Sequence, residues 1–171
     1  MKTYPPTVFL LAVTALSFVF LYGCDQSDDL PEIFLNKQWK LTDIYHDQNP
    51  PHQVKDYWLT EEERDASFKK LFENKGYFVI RFEGLGEENK ITGDFIGKAT
   101  TVDITGSWTA DGKSKAFSAN LQATSDGDKL GTAFIKGLNA AYKYGGDANN
   151  LQIFFKDGSL TKYLLFHVNK E

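Results

Sequence analysis

The chain has 171 residues, with 19 Lys+Arg against 23 Asp+Glu for a formal charge of −4. The charges are scattered with no basic block, which argues against a nucleic-acid partner, since neutralising phosphates needs a cationic face. A single cysteine rules out an intramolecular disulfide and any cysteine-based zinc cluster, and the length is that of one domain behind a leader.

Residues 1–23 read as a signal peptide. Lys2 precedes the apolar run VFLLAVTALSFVFLYG, the layout of a secretory signal. The run falls at or just below the ~17–25 residues needed to span a bilayer, and acidic rather than basic residues follow it. Leu21-Tyr22-Gly23-Cys24 resembles the bacterial lipobox, with an aliphatic residue three before the cysteine and a small one just before it. Cys24 is therefore expected to be the first mature residue and to carry a lipid anchor, making the membrane its partner. Several acyl chains at ~0.8 kcal/mol per buried CH₂ would hold it there. Ser27, Asp28 and Asp29 in the acidic run after Cys24 resemble the surface-export signal of Bacteroidetes lipoproteins. That resemblance implies an outer-membrane lipoprotein facing outward, a periplasm-facing one being the alternative. Residues 24–36 are expected to form an acidic tether, with Pro31 discouraging a helix, and residues 37–171 a single β-rich domain.

A first strand is predicted over Gln38–Tyr45, with Trp39, Leu41 and Asp43 on one face. A polar, rigid loop carrying His46, Asn49-Pro50-Pro51 and His52 follows. Thr60-Glu61-Glu62-Glu63 is a capping box opening a helix that runs to about Asn74. Its apolar stripe of Ala66, Phe68, Leu71 and Phe72 is incomplete, as in a surface helix packed on one side. The period then changes to two: Phe78, Ile80 and Phe82 share a strand face, Gly84-Leu85-Gly86 reads as a turn, and Lys90–Ile96 as the next strand. Strands at Thr101–Ala110 and Ser114–Thr124 flank the hairpin signal Asp111-Gly112. Ser125-Asp126-Gly127-Asp128 breaks the β pattern. Leu130, Ala133, Phe134, Gly137, Leu138 and Ala141 trace a helical stripe, with Gly145-Gly146 beyond its end. Strands over Leu151–Lys156 and Thr161–Asn169 form a last hairpin around Asp157-Gly158. The expected fold class is α+β, mostly antiparallel β: a small bent sheet or barrel of about seven strands with two helices. The 14 Phe, 8 Tyr and 3 Trp suit such a core and do not by themselves mark a ligand site.

One set of these positions has a familiar order: Trp39 and Leu41, Ile91 and Gly93, Gly106 and Trp108, Thr124, Leu138 and Tyr142, Leu151 and Ile153, Asp157-Gly158, then Leu164 to Phe166. Together they resemble the META/HslJ-type domain of small bacterial envelope lipoproteins over Gln38–Val168. The Gly-Cys-Asn signature of that family is absent, the corresponding stretch reading Gly97-Lys98-Ala99-Thr100, and His46–Asn74 would be an insertion. The resemblance implies a compact antiparallel β domain with an envelope role. A lipocalin-like barrel is the alternative fold.

For chemistry, His46 and His52 with Asp43, Asp47 and Asp56 nearby offer the residue types of a zinc site but not its ligand spacing. His167 falls in the last strand. No metal and no cofactor are expected. No serine lies in a Gly-x-Ser-x-Gly elbow, and the glycine pairs lack the lysine and Ser/Thr of a nucleotide loop, so no catalytic residue is assigned. Tyr57 and Trp58 are the aromatics that strand periodicity explains least. A staple against the following helix is the plain reading, an exposed binding pair the other. Three functions are open: a noncatalytic binding or interaction module for a protein, glycan or small apolar ligand; an envelope structural or stress-response accessory; and a small glycan or peptide hydrolase. An aromatic-lined cavity favours the first and a packed interior the second, while two carboxylates ~5–10 Å apart in a cleft favour the third.

Overall fold

The computed structural model describes residues 29–87 and 89–170; Cys24, Ser27 and Asp28 lie outside them. In chain order the elements are α1 (Leu30–Phe34), β1 (Gln38–His46), β2 (His52–Gln53), α2 (Glu61–Glu73), β3 (Val79–Glu87), β4 (Lys90–Lys98), β5 (Asp103–Asp111), β6 (Phe117–Leu121), α3 (Lys129–Asn139), β7 (Ala141–Gly146), β8 (Asn150–Asp157) and β9 (Leu160–Val168). One antiparallel sheet runs β6-β5-β4-β3-β1-β9-β8-β7, with the two-residue β2 paired to β1. Short hairpins make sequence neighbours antiparallel partners, and the last strand closes the order by pairing with the first. The fold is thus α+β with a bent, mostly antiparallel sheet. The elements beyond the sequence expectation are α1, β2 and β7.

The sheet curls until its edge strands β6 and β7 approach. They meet at one bridge, Ala116–Lys143, supported by the Tyr144 N–H donating to the Lys115 carbonyl at 3.0 Å. No ladder follows, so the sheet stays open, and a closed lipocalin-like barrel is not formed.

Side chains fill the concave face. Phe34 stacks on Phe117 at 5.7 Å and 12°, meets Phe82 and Tyr144 edge-on at 5.3 and 5.1 Å, and lies 4.9 Å from Trp108. Further along, Phe134 of α3 packs between Phe78 and Phe166 at 6.3 and 6.0 Å. Such offset and edge-to-face pairs add to the burial of large apolar surfaces. The interior is therefore a packed core, not an aromatic-lined cavity.

Phe34 reaches that core because residues 29–34 are helical. The Asp29 carboxylate accepts the Glu32 N–H at 3.0 Å as N-cap, and Pro31 sits in the first turn, where its missing N–H leaves no bond unmade. Leu30, Ile33 and Phe34 are all buried. The stretch expected to be a tether through residue 36 is thus part of the core from Leu30 onward, because a proline in the first turn favours a helix rather than breaking it.

Local departures from strict alternation have visible causes. A register shift between Leu41 and Asp43 turns Ile44 and His46 inward, while the Asp43 carboxylate accepts the Ile44 N–H at 2.7 Å. Gly84-Leu85-Gly86 is not a turn but lies inside β3, since Gly84 pairs with Gly93 across to β4. Trp108 covers this pair, its indole N–H shared between the Glu83 and Asp94 carbonyls at 2.9 and 3.1 Å. A Cβ on Gly93 would come within 1.9 Å of the Glu83 oxygen. The second helix expected from periodicity stops at Asn139, and Ala141 to Gly146 continue as β7.

Because Phe34 touches four aromatic rings, Phe34→Ala is expected to lower the folding free energy by about 3–5 kcal/mol. Leu85→Ala, at a side chain 89% exposed, should change it by no more than about 0.5 kcal/mol. Urea unfolding of the two variants checks the contrast.

Candidate functional site

A cleft of about 890 Å³ opens where β8 turns into β9, between that hairpin and α3. The turn is fixed by Gly158, whose φ of +61° suits a residue without a Cβ. Phe155 and Ala133 give the cleft an apolar floor, and Asp56, Tyr57, Lys136, Lys156 and Asp157 stand around it.

Beneath the Tyr57 side lies a buried lysine. Lys162 of β9 pairs in register with His46 of β1 and Phe155 of β8, and its side chain is 1% exposed. Its ammonium donates to Asp157 at 2.8 Å, to Asp56 at 3.3 Å and to the Tyr57 hydroxyl at 3.4 Å. It also lies 4.4 Å from the Tyr57 ring centre. Burial alone would lower its pKa, but the bonds to Asp157 and Tyr57 outweigh burial and raise it. The same bond to Lys162 holds the Asp157 carboxyl below its ordinary range. Burial pushes the Tyr57 phenol up to about 12 against the opposing field of Lys162. Lys162 and Asp157 are therefore ionised and Tyr57 neutral at physiological pH. Asp56 and Asp157 both hold the Lys162 ammonium, an ion-pair clasp between the loop before α2 and the last hairpin.

The opposite wall is set by a polar corner at the start of α3. Asp128 caps that helix, its carboxylate accepting the Leu130 and Gly131 N–H groups at 2.9 and 3.3 Å. Its second oxygen takes the Ser67 hydroxyl at 3.1 Å and Lys70 at 2.8 Å, both from α2. The Trp58 indole N–H in turn donates to Ser67 at 3.0 Å, while its ring packs on Phe68 at 5.6 Å. Trp58 thus staples α2 to α3, and Tyr57 alone of that pair reaches the cleft. The capping box forms as expected, Thr60 accepting the Glu63 N–H at 3.2 Å; Glu63 reaches back to the Leu59 N–H at 2.9 Å and pairs with Lys129 at 2.7 Å.

Asp126 organises the loop before α3. Its carboxylate accepts the N–H groups of Thr100, Thr101, Val102 and Asp128 and the hydroxyls of Thr100 and Thr101. Burial would raise its pKa, yet these donors bring it down to about 2.

The histidines do not build a metal centre. His46 and His52 face each other across the β1–β2 pair, rings stacked at 4.6 Å, with His46 3.9 Å from Asp56. Asp43 is turned to Gln53 at 2.8 Å. Among the described residues no three metal-ligating side chains come together. Burial, then the field of Lys162, lowers the pKa of His46; His167 is exposed on β9. Lys162 is the residue that sequence reasoning missed. The signal was parity, because Lys162 alternates with Leu164 and Phe166 on the inward face of the last strand.

The carboxylates around the cleft are occupied: Asp126 and Asp128 by backbone and side-chain donors, Asp56 and Asp157 by Lys162. Lys129 is paired with Glu63. Among the described residues the Lys136 ammonium makes no hydrogen bond and no close ion pair, though its field reaches the Asp157 carboxyl, and the Lys156 ammonium has only the Thr161 hydroxyl at 2.5 Å and the Tyr142 ring at 5.7 Å. The arrangement can bind a group that accepts hydrogen bonds and carries negative charge.

Asp126 also makes stability pH-dependent. A carboxyl whose pKa is about 2 folded and ordinary unfolded stabilises the fold above about pH 4, and that contribution is lost as pH falls through 2. Asp126→Asn is expected to lower stability by about 1–3 kcal/mol at neutral pH and to flatten the fall between pH 4 and 2. Denaturant midpoints across that range check both.

The family model for DUF4847, a domain of unknown function, matches residues 25–168. The fold is similar to the crystal structure of a DUF4847 family protein from Bacteroides vulgatus ATCC 8482, with 25% sequence identity, a TM-score of 0.58, and coverage of 83% of this chain and 99% of that one. No curated protein matches. These findings overturn the META/HslJ resemblance. Its quoted residues are core and turn positions, such as Ile91, Gly93, Trp108 and Asp157-Gly158, which any bent antiparallel sheet of this size needs. The chain belongs to the DUF4847 family.

Proposed function

We propose that this protein is a lipid-anchored, noncatalytic binding module of the cell envelope, whose cleft between α3 and the β8–β9 hairpin takes a ligand bearing an anionic group. The observation that carries the reading is the state of the charges around the cleft. Each carboxylate is held by internal donors, whereas among the described residues the Lys136 and Lys156 ammonium groups make no close ion pair with a carboxylate, Asp157 feeling Lys136 only through its field. A volume of about 890 Å³ suits a small ligand or the terminal group of a larger one, and the Phe155 and Tyr57 rings can cover its apolar part. The packed interior leaves this outer cleft, rather than the inside of the sheet, as the seat.

The leader, the lipobox-like Leu21-Tyr22-Gly23-Cys24 and the acidic Ser27-Asp28-Asp29 support an outer-membrane lipoprotein facing outward. In cell fractionation, Cys24→Ala is expected to lower the amount in the membrane fraction at least tenfold; recovery there at wild-type level would overturn the anchor.

For the cleft, a thermal-shift series with sugar phosphates, uronic acids and aliphatic carboxylates should show stabilisation that neutral sugars do not give. The Lys136→Gln/Lys156→Gln double variant should abolish it. Stabilisation by neutral sugars alone, or an anion effect that survives the double variant, rejects the anionic reading.

A further inference from the structure

The chain joins the domain at one end of the sheet, and the cleft opens at the other. Lys37 fastens α1 in place by donating to the Glu32 carbonyl at 2.6 Å and to the Ala148 carbonyl at 2.7 Å. Ala148 lies in the turn between β7 and β8, so α1 sits where β8 begins. The cleft is bounded by Phe155 to Gly158, where β8 ends. Register across the neighbouring strands gives the same polarity: Trp39 at the start of β1 is opposite Val168, and His46 at its end is opposite Lys162, beside the cleft. β8 runs Asn150–Asp157, and at ~3.3 Å per residue its ends are about 25 Å apart.

Cys24 precedes the Asp29 cap by five residues. Fully extended at ~3.3–3.6 Å per residue, that stretch reaches about 18 Å at most. A connection of that length holds the α1 end within about 18 Å of the surface in which Cys24 is embedded, whereas the far end of the sheet can stand about 25 Å further away. Taking the proposed lipid anchor at Cys24 as given, we infer that the α1 end of the domain faces the bilayer and the cleft opens away from it. The cleft then draws its anionic ligand from the aqueous phase, not from the headgroups of the anchoring leaflet.

The lone cysteine makes this testable in the full lipidated chain, because an acylated Cys24 leaves any introduced cysteine as the one reactive thiol. Asn149→Cys, in the exposed β7–β8 turn, and Ser159→Cys, in the exposed β8–β9 turn, are each labelled with bimane. The labelled chains are reconstituted into phosphatidylcholine vesicles containing headgroup-spin-labelled lipid. Quenching is expected to be at least twofold stronger at position 149 than at 159. Equal or stronger quenching at 159, in protein that floats with the vesicles, overturns the orientation and leaves the anchor standing. Protein that fails to float, or in which Cys24 itself reacts with bimane, overturns the anchor and the orientation with it.

Discussion

A curled sheet with open edges presents a concave apolar face that its own strands cannot cover, and the structure depends on how that face is filled. Phe34 fills one part and Phe134 the other, each carried in by a helix from outside the sheet. The two helices solve different problems. α1 covers the end where β8 begins. α3 links β6 to β7, the two edge strands, and packs against β6, β8 and β9, while the edges themselves meet at the Ala116–Lys143 bridge. The cleft follows from the same arrangement: it is the space left between α3 and the β8–β9 hairpin.

The polar groups around this space are held by one another. A lysine as buried as Lys162 would carry a large desolvation penalty if left alone, and a buried ion pair gains little net stability even with good partners. Its retention with Asp56, Asp157 and Tyr57 therefore fits a positional role better than a purely stabilising one. It fixes Tyr57 at the rim and joins the loop before α2 to the last hairpin. On the other wall, the chain of Trp58, Ser67, Asp128 and Lys70 does the same for α2 and α3. Both walls are thus tied together by internal bonds, which would lower the ordering cost of the proposed binding.

Fold class was legible in the sequence because its signals are local. The capping box at Thr60, the stripe from Leu130 to Leu138 and the alternation at Phe78–Phe82 each describe contacts within one element or its immediate neighbour. The departures came where tertiary contacts decide. Gly84 and Gly86 look like turn residues, yet Trp108, far along the chain, needs the flat strand they make. Ala141 continues the helical stripe by spacing, but pairing with Phe155 draws it into β7. The stretch from Leu30 to Phe34 reads as a polar tether beside its acidic neighbours, and its helix exists because Phe34 has an aromatic nest to enter. The site was less legible still. Tyr57 stood out as unexplained, whereas Lys162, Asp157 and Asp56 converge from a strand, a hairpin and a loop that no spacing rule connects.

Net charge alone says little about the ligand proposed for the cleft. The chain is acidic at −4, and that balance suggests a cationic or neutral ligand. Yet aspartate serves here mainly as an internal acceptor. Asp29 and Asp128 cap helices. Asp111 takes the Lys113 and Ser114 N–H groups in the β5–β6 turn, and Asp147 those of Asn149 and Asn150 in the β7–β8 turn. Asp126 ties the loop before α3, and Asp43 holds the irregularity in β1. A carboxylate whose oxygens already accept several N–H bonds has little capacity left for a ligand, while Lys136 keeps all of its ammonium donors and Lys156 all but the one given to Thr161. The sign of the free groups at a site can therefore oppose the sign of the whole chain, and the ligand proposed for this cleft rests on that difference.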